Sequence, residues 1–210
     1  PAAGWQLQVN GLDRHRSGYK PYGVPFGFNS AIELAEPIDQ RVVEGDASLR
    51  FVKADYSFMA GFGMSDFTNN VSTLRWDNPK RLTDRTSASA YTGGDGAALG
   101  QMDLYPDNQV VRGNAAFSAR LPKATVFTAT FGMSQGTQND DWLPITVNTA
   151  IPTFRLDSLP GRSTDAKLKR LSMDYRLTTR PLPKLSGTLR FNDVKDDNET
   201  PEHTFASLVR

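Results

Sequence analysis

The chain has 210 residues, with 24 Lys plus Arg against 23 Asp plus Glu and a formal charge of +1, so neither nucleic acid nor an anionic membrane surface is implied as the main partner. It contains no cysteine, which excludes disulfides, zinc–thiolate sites, iron–sulfur clusters and haem attached through Cys-x-x-Cys-His within this chain. Hydrophobic residues make up 38%, below the roughly 45–50% of a packed domain even though that figure also counts Gly; a barrel with a polar interior can fold on so small an apolar supply. No stretch approaches the ~18 apolar residues of a membrane helix. Any membrane crossing must therefore use a closed barrel, the other structure that pairs every backbone group in lipid.

Period-two alternation dominates the chain. The opening Pro1-Ala2-Ala3-Gly4-Trp5 has neither the charged start nor the apolar run of a signal peptide. A first strand, residues 5–13, sets Trp5, Leu7 and Val9 on one face and Gln6, Gln8 and Asn10 on the other. A long polar connection is predicted over 14–39. The next strand places Val43, Gly45, Ala47, Leu49 and Phe51 opposite Glu44, Asp46, Ser48 and Arg50. After the short link Lys53-Ala54-Asp55, Tyr56, Phe58, Ala60, Phe62 and Met64 alternate with Ser57, Gly61, Gly63 and Ser65.

A second long connection spans 67–107. Its low-complexity part, 83–100, contains Ser87-Ala88-Ser89-Ala90 and Gly93-Gly94-Asp95-Gly96 and is expected to be mobile. Then Val111, Gly113, Ala115, Phe117, Ala119 and Leu121 oppose Arg112, Asn114, Ser118 and Arg120. Pro122-Lys123 turns the chain, and Phe127, Ala129, Phe131 and Met133 return opposite Thr128, Thr130 and Ser134. A third long connection covers 137–164. The last pair sets Leu171, Met173, Tyr175 and Leu177 against Ser172, Asp174, Arg176 and Thr178. It turns at Pro181-Leu182-Pro183-Lys184 and returns with Leu185, Gly187, Leu189 and Phe191 against Ser186, Thr188, Arg190 and Asn192.

Most of these seven strands run to about ten residues or more, whereas strands of soluble sheets average nearer 5–6 and bilayer-crossing strands need ~9–11. Short turns lie at one end and three long connections at the other, an asymmetry of outer-membrane barrels that compact soluble domains rarely show. The predicted fold is all-β: an antiparallel up-and-down transmembrane β-barrel segment. The chain is expected to be a single partial barrel domain over 1–210, truncated at both ends, because seven strands cannot close and open edges invite aggregation. Trp5, Tyr56 and Phe191 are placed near strand ends, as an interface girdle would be. A soluble, carbohydrate-binding β-sandwich is the rival fold and predicts behaviour without detergent.

Candidate chemistry is sparse. His15 lies between Arg14 and Arg16, and His203 in a Pro-Glu-His-Thr segment; both read as solvated loop residues. Asp140/Asp141 and Asp196/Asp197 are adjacent pairs, which an extended strand points to opposite faces, so loop solvation is favoured over acid–base work. A Ca²⁺ site among Asp193, Asp196, Asp197 and Asn198 is the weaker reading. Gly93–Gly96 lacks the Lys-Ser/Thr and helix of a phosphate loop, and no Gly-x-Ser-x-Gly elbow occurs. No enzyme is expected. The polar faces are the candidate surface: Glu44, Asp46, Ser48, Arg50, Arg112, Asn114, Ser118, Arg120, Asp174, Arg176, Arg190 and Asn192 would project into the lumen if the apolar faces meet lipid.

Several segments resemble the MtrB/PioB family of decahaem-associated outer-membrane β-barrel proteins. In order they are Glu36-Pro37-Ile38-Asp39; Ser72-Thr73-Leu74-Arg75-Trp76-Asp77-Asn78-Pro79; Leu104-Tyr105-Pro106-Asp107-Asn108-Gln109; and Leu121-Pro122-Lys123-Ala124-Thr125. Then come Gln138-Asn139-Asp140-Asp141-Trp142-Leu143-Pro144, Leu159-Pro160-Gly161-Arg162-Ser163 with Asp165 and Lys167, Leu177-Thr178-Thr179-Arg180-Pro181-Leu182-Pro183-Lys184-Leu185, and Asp196-Asp197-Asn198-Glu199-Thr200-Pro201. The resemblance implies a bacterial outer-membrane sheath. Its lumen would hold a periplasmic multihaem c-type cytochrome, with an extracellular multihaem cytochrome as a second partner, so that electrons cross the membrane. It also implies that the haem belongs to the partner and that this chain binds no cofactor. The alternative within the same fold is a general porin or transport barrel with no cytochrome partner.

Overall fold

The computed structural model describes residues 3–26, 30–78, 98–144 and 159–205. Among the described residues there are nine strands: β1 (Gly4–Phe26), β2 (Ser30–Val52), β3 (Tyr56–Asn69), β4 (Thr73–Asp77), β5 (Leu99–Asp103), β6 (Asn108–Leu121), β7 (Thr125–Gln138), β8 (Ala166–Leu182) and β9 (Leu185–Asn198). Seven of them form one antiparallel sheet in the order β1-β2-β3-β6-β7-β8-β9, while β4 and β5 make a separate two-stranded ribbon. All seven predicted strands are found in this sheet. Its neighbours follow chain order, as an up-and-down meander requires, and β1 and β9 are its open edges.

The first long connection is different from expectation. Residues 14–39 are not a loop: β1 continues to Phe26 and β2 starts at Ser30, so the two strands form a ribbon that outruns β3. Pro21, Pro25 and Pro37 hid this, because proline cannot donate to a ladder. Their register explains the tolerance. The Asn70 amide donates to the Asp39 carbonyl, so odd-numbered residues of β2 direct their backbone groups toward β3. Pro37 lies past the last β2–β3 pair, Gln40↔Asn69, and Pro21 and Pro25 pair with the odd-numbered Ala35 and Ala31. All three missing N–H groups therefore point away from any neighbouring strand. Likewise Glu36–Asp39 lies inside β2, and the second connection contains the β4–β5 ribbon, where Trp76 lies over Gly100. Most of the 83–100 segment falls outside the described residues.

The sheet's rungs are aligned with its apolar face. Trp5, Phe51, Phe58, Phe117, Ala129, Tyr175 and Phe191 occupy one rung across all seven strands. Ring centroids are 4.8 Å apart for Trp5–Phe51 and 6.2 Å for Tyr175–Phe191, and such cross-strand aromatic pairs stabilise a sheet by a few tenths to 1 kcal/mol each. Phe191 lies inside β9, not near its end.

From this rung the turns recede steadily. The last pair is one residue beyond Phe51 (Val52↔Ser57), four beyond Phe117 (Leu121↔Thr125) and seven beyond Tyr175 (Leu182↔Leu185, past a bulge). With the three turns at one level, each pair of strands shifts by three residues. At ~3.3 Å per residue and ~4.8 Å between strands this is a tilt of about 45°, the upper end of the ~35–45° of closed barrels.

The same tilt accounts for the apolar band. Moving from the turns, the first charged or amide side chain on the outward face is Arg41 on β2, Asp66 on β3, Gln109 on β6, Gln135 on β7, Lys169 on β8 and Asp193 on β9; the only earlier aliphatic hydroxyls on β7 and β8, Thr125 and Thr179, bond each other at 2.7 Å beside the turns. The charged and amide residues lie eight to thirteen residues from the turn pairs, about 19–30 Å of height, bracketing the ~25 Å apolar band of outer-membrane barrels. Asp193 shares a rung with Met173, Phe131, Ala115 and Ala60. Only tilt lifts it to the boundary.

Nothing among the described residues covers that face: Leu7 is 68% exposed, Phe62 59% and Leu189 70%. The buried apolar residues Val24, Ile38, Leu74, Ala98 and Leu104 all lie beyond the long-connection end of the sheet, on the ribbons and their links. A sandwich would place its core between two sheets. This sheet has no such layer.

Candidate functional surface: the polar face

The twelve polar residues singled out in the sequence share the face opposite the aromatic rung, and the register groups them. One rung reads Ser48–Gly61–Asn114–Gly132–Ser172, the next Asp46–Gly63–Arg112–Ser134–Arg170–Asp196. A third reads Arg50–Met59–Ala116–Thr130–Asp174–Asn192, and a fourth Ser57–Ser118–Thr128–Arg176–Arg190. Glu44 faces Ser65, whose hydroxyl lies 3.4 Å from its carboxylate. Arg120 pairs with Val126, nearest the turn.

Relief on this face is low. A Cβ at Gly61 would stand 2.6 Å from Asn114 Oδ1, and one at Gly63 would stand 2.7 Å from Arg112 Nε; at Gly132 it would stand 2.7 Å from Ser172 Oγ. Long polar side chains thus lie flat across glycines of the next strand instead of standing out from the wall. Ser57, Ser65, Thr128, Thr130 and Ser134 add further short inward side chains on β3 and β7, with Met59, Phe67 and Val126 as the larger apolar ones. Alternation in the sequence puts Gly61 and Gly63 on this face without a role, and does not single out Gly132, because a residue without a side chain has no polarity to place.

Charge is partly balanced within the wall. Arg190 Nε donates to Asp174 Oδ2 at 2.6 Å, Arg170 pairs with Asp196 at 2.8 Å, and Asn10 Nδ2 donates to Asp46 Oδ2 at 2.8 Å. Arg50, Arg112 and Arg120 have no ion pair with any described residue. Arg170, Asp196 and Asn10 join the candidate surface.

The long-connection end of the sheet is pinned by ion pairs. Glu36 is 2% exposed and meets Lys20 Nζ at 3.0 Å, and Lys20 also donates to the Tyr105 hydroxyl at 2.8 Å; these two bonds raise the lysine's pKa, Tyr105 first. Glu199, just past β9, accepts from Lys167 at 2.8 Å and Lys169 at 2.5 Å, which together hold its pKa near about 2. Burial, then the nearby Asp140 charge, pushes Asp103 upward.

The remaining candidates find structural partners. His15 bonds Asp39 at 2.6 Å, and His203 lies 3.3 Å from the Thr164 carbonyl with its ring edge-on to Trp142. Asp140 accepts the Asp107 amide and Asp141 pairs with Arg162. For Ca²⁺, Asp193 and Asp197 fall on the outward face of β9 and Asp196 on the other, and the described residues contain no metal-binding cluster of three or more His, Cys, Asp or Glu side chains.

The family model described as "Putative outer membrane beta-barrel porin, MtrB/PioB" matches residues 2–209, nearly the whole chain. No curated protein matches it.

Proposed function

The chain belongs to the MtrB/PioB family of outer-membrane β-barrel porins, and from that premise we propose that its polar face lines a lumen occupied by a periplasmic multihaem c-type cytochrome, so that electrons cross the outer membrane along the partner's haems. The low relief of that face is the observation that carries this reading. A small barrel fills its interior with side chains, whereas here glycine, serine and threonine alternate with side chains laid flat. That leaves room for a folded protein at close approach. Internally paired charges suit a polar protein interface, because they need not be desolvated as lone ions. The haem is the partner's; this chain has no cysteine to attach one. The chain acts as scaffold and insulator.

The test is purification of the intact barrel containing this chain in mild detergent. A haem-staining partner should co-elute with it. Gly132→Leu, which raises bulk on the polar face, should reduce that co-elution while the barrel still folds. Barrel free of haem partner under all conditions would refute the sheath.

One observation favours the rival reading, an open porin. Arg50, Arg112 and Arg120, which have no described counter-ion, would make a water-filled lumen anion-selective. Planar-bilayer conductance separates the two: large, anion-selective currents belong to a porin, and a plugged lumen conducts little.

A further inference from the structure

One place on the outward face is not a plain lipid-facing wall. The rung Phe62–Gly113–Met133–Leu171–Lys195 lacks a side chain at Gly113, and a groove of about 530 Å³ opens there. It extends onto the neighbouring rung, where Gln135, Lys169 and Asp197 line it. Heights above the turn pairs are five residues for Phe62, eight for Gly113 and Met133, ten for Lys195 and thirteen for Lys169. The groove therefore climbs from mid-band to the edge of the apolar band. Its lower half is hydrocarbon-like; its upper half carries an ammonium, an amide and a carboxylate.

Lys195 is the available cation. Its side chain is 69% exposed, and it meets Asp197 at 3.5 Å, longer than a charge-assisted hydrogen bond. Lys169 is held by Glu199.

We propose that this groove binds one lipid whose headgroup is a phosphorylated sugar, in the leaflet at the long-connection end. An acyl chain lies in the dent at Gly113, a phosphate oxygen accepts from the Lys195 ammonium, and Gln135 and Asp197 hydrogen-bond sugar hydroxyls. The mixed donor set argues for this headgroup. A phosphodiester without hydroxyls or an amine would engage Lys195 and leave the amide and carboxylate unused, and a phosphoethanolamine would meet Lys195 and Asp197 but not Gln135, whereas a sugar phosphate offers anionic and hydroxyl groups to all three. The site requires the outward face to meet lipid but is independent of what fills the lumen.

The intact barrel, delipidated in detergent, is exposed in turn to lipid A, dephosphorylated lipid A and phosphatidylethanolamine, and bound lipid is counted by native mass spectrometry. One lipid A per barrel should be retained in preference to both others. Lys195→Gln should weaken it about tenfold, as loss of one charge-assisted hydrogen bond predicts. Gly113→Leu should also weaken it by filling the dent: its Cβ meets Met133 at an ordinary 3.5 Å, and the atoms beyond enter the groove itself. Heat-modifiable mobility confirms that each variant is folded. Equal retention of the three lipids, or retention unchanged in both folded variants, overturns the site; preference for phosphatidylethanolamine overturns the sugar assignment.

Discussion

Adjacent residues on one strand should differ sharply in their tolerance of charge. Ala115 and Ala116 are neighbours on β6, with Ala115 on the aromatic face, sharing rungs with Ala60 and Phe131, and Ala116 on the polar face between Met59 and Thr130. Ala115 lies six residues from the turn pair at Leu121, which at ~3.3 Å per residue and a tilt of about 45° is about 14 Å, the middle of the apolar band. Arginine at that depth costs ~2–4 kcal/mol on a lipid-facing surface and little on a lumen-facing one. Ala115→Arg should therefore lower the folding equilibrium about 30- to 900-fold at 1.36 kcal/mol per decade, and Ala116→Arg should leave it nearly unchanged. The assay is guanidinium titration of the intact barrel folding into phospholipid vesicles, read by tryptophan emission and heat-modifiable mobility. Equal costs at the two positions, or a larger one at Ala116, would refute the assignment of the faces.

Other perturbations address the turns and the rim. Lys123 and Ala124 hold φ of 60° and 49°, a left-handed pair that non-glycine residues adopt at a cost of about 1 kcal/mol each; Ala124→Gly should raise stability by up to about that much in the same titration. Lys20→Met should expose the β1–β2 ribbon to faster trypsin cleavage at Arg14 and Arg16, because it strips buried Glu36 of its cation; unchanged cleavage would show that the pair does not hold the ribbon. Glu199 has a depressed pKa, so its contribution is fully present above the ordinary glutamate range and fades as pH falls toward about 2. The protection factor of the Glu199 amide, which donates to the Lys167 carbonyl, should fall in that window once the intrinsic pH dependence of exchange is divided out. In Glu199→Gln that protection should be low already at neutral pH.

The strands were legible because each face repeats every second residue: Val43–Phe51 against Glu44–Arg50 permits one register on one membrane-facing side. The ribbon beyond Gln40 was not legible, since Pro21, Pro25 and Pro37 argue against strand unless the absent outer neighbours are known. Tilt was also hidden, because it exists only in the relation between turns of different hairpins. Of the candidate surface, Arg50, Asp46 and Asp174 could be named from alternation. Alternation also put Gly61 and Gly63 on that face, but their role there, and that of Gly132, is to leave space for Asn114, Arg112 and Ser172, and that pairing is a matter of register.

The most direct test of the sheath is photocrosslinking from both faces. A benzophenone side chain is placed at Ser118 on the polar face or at Ala47 on the aromatic face of the intact barrel, followed by irradiation in the membrane and haem staining of the products. The account predicts a haem-bearing adduct from position 118 and none from position 47. A haem-bearing adduct from position 47, or none from position 118 while the cytochrome is present in the preparation, would contradict it.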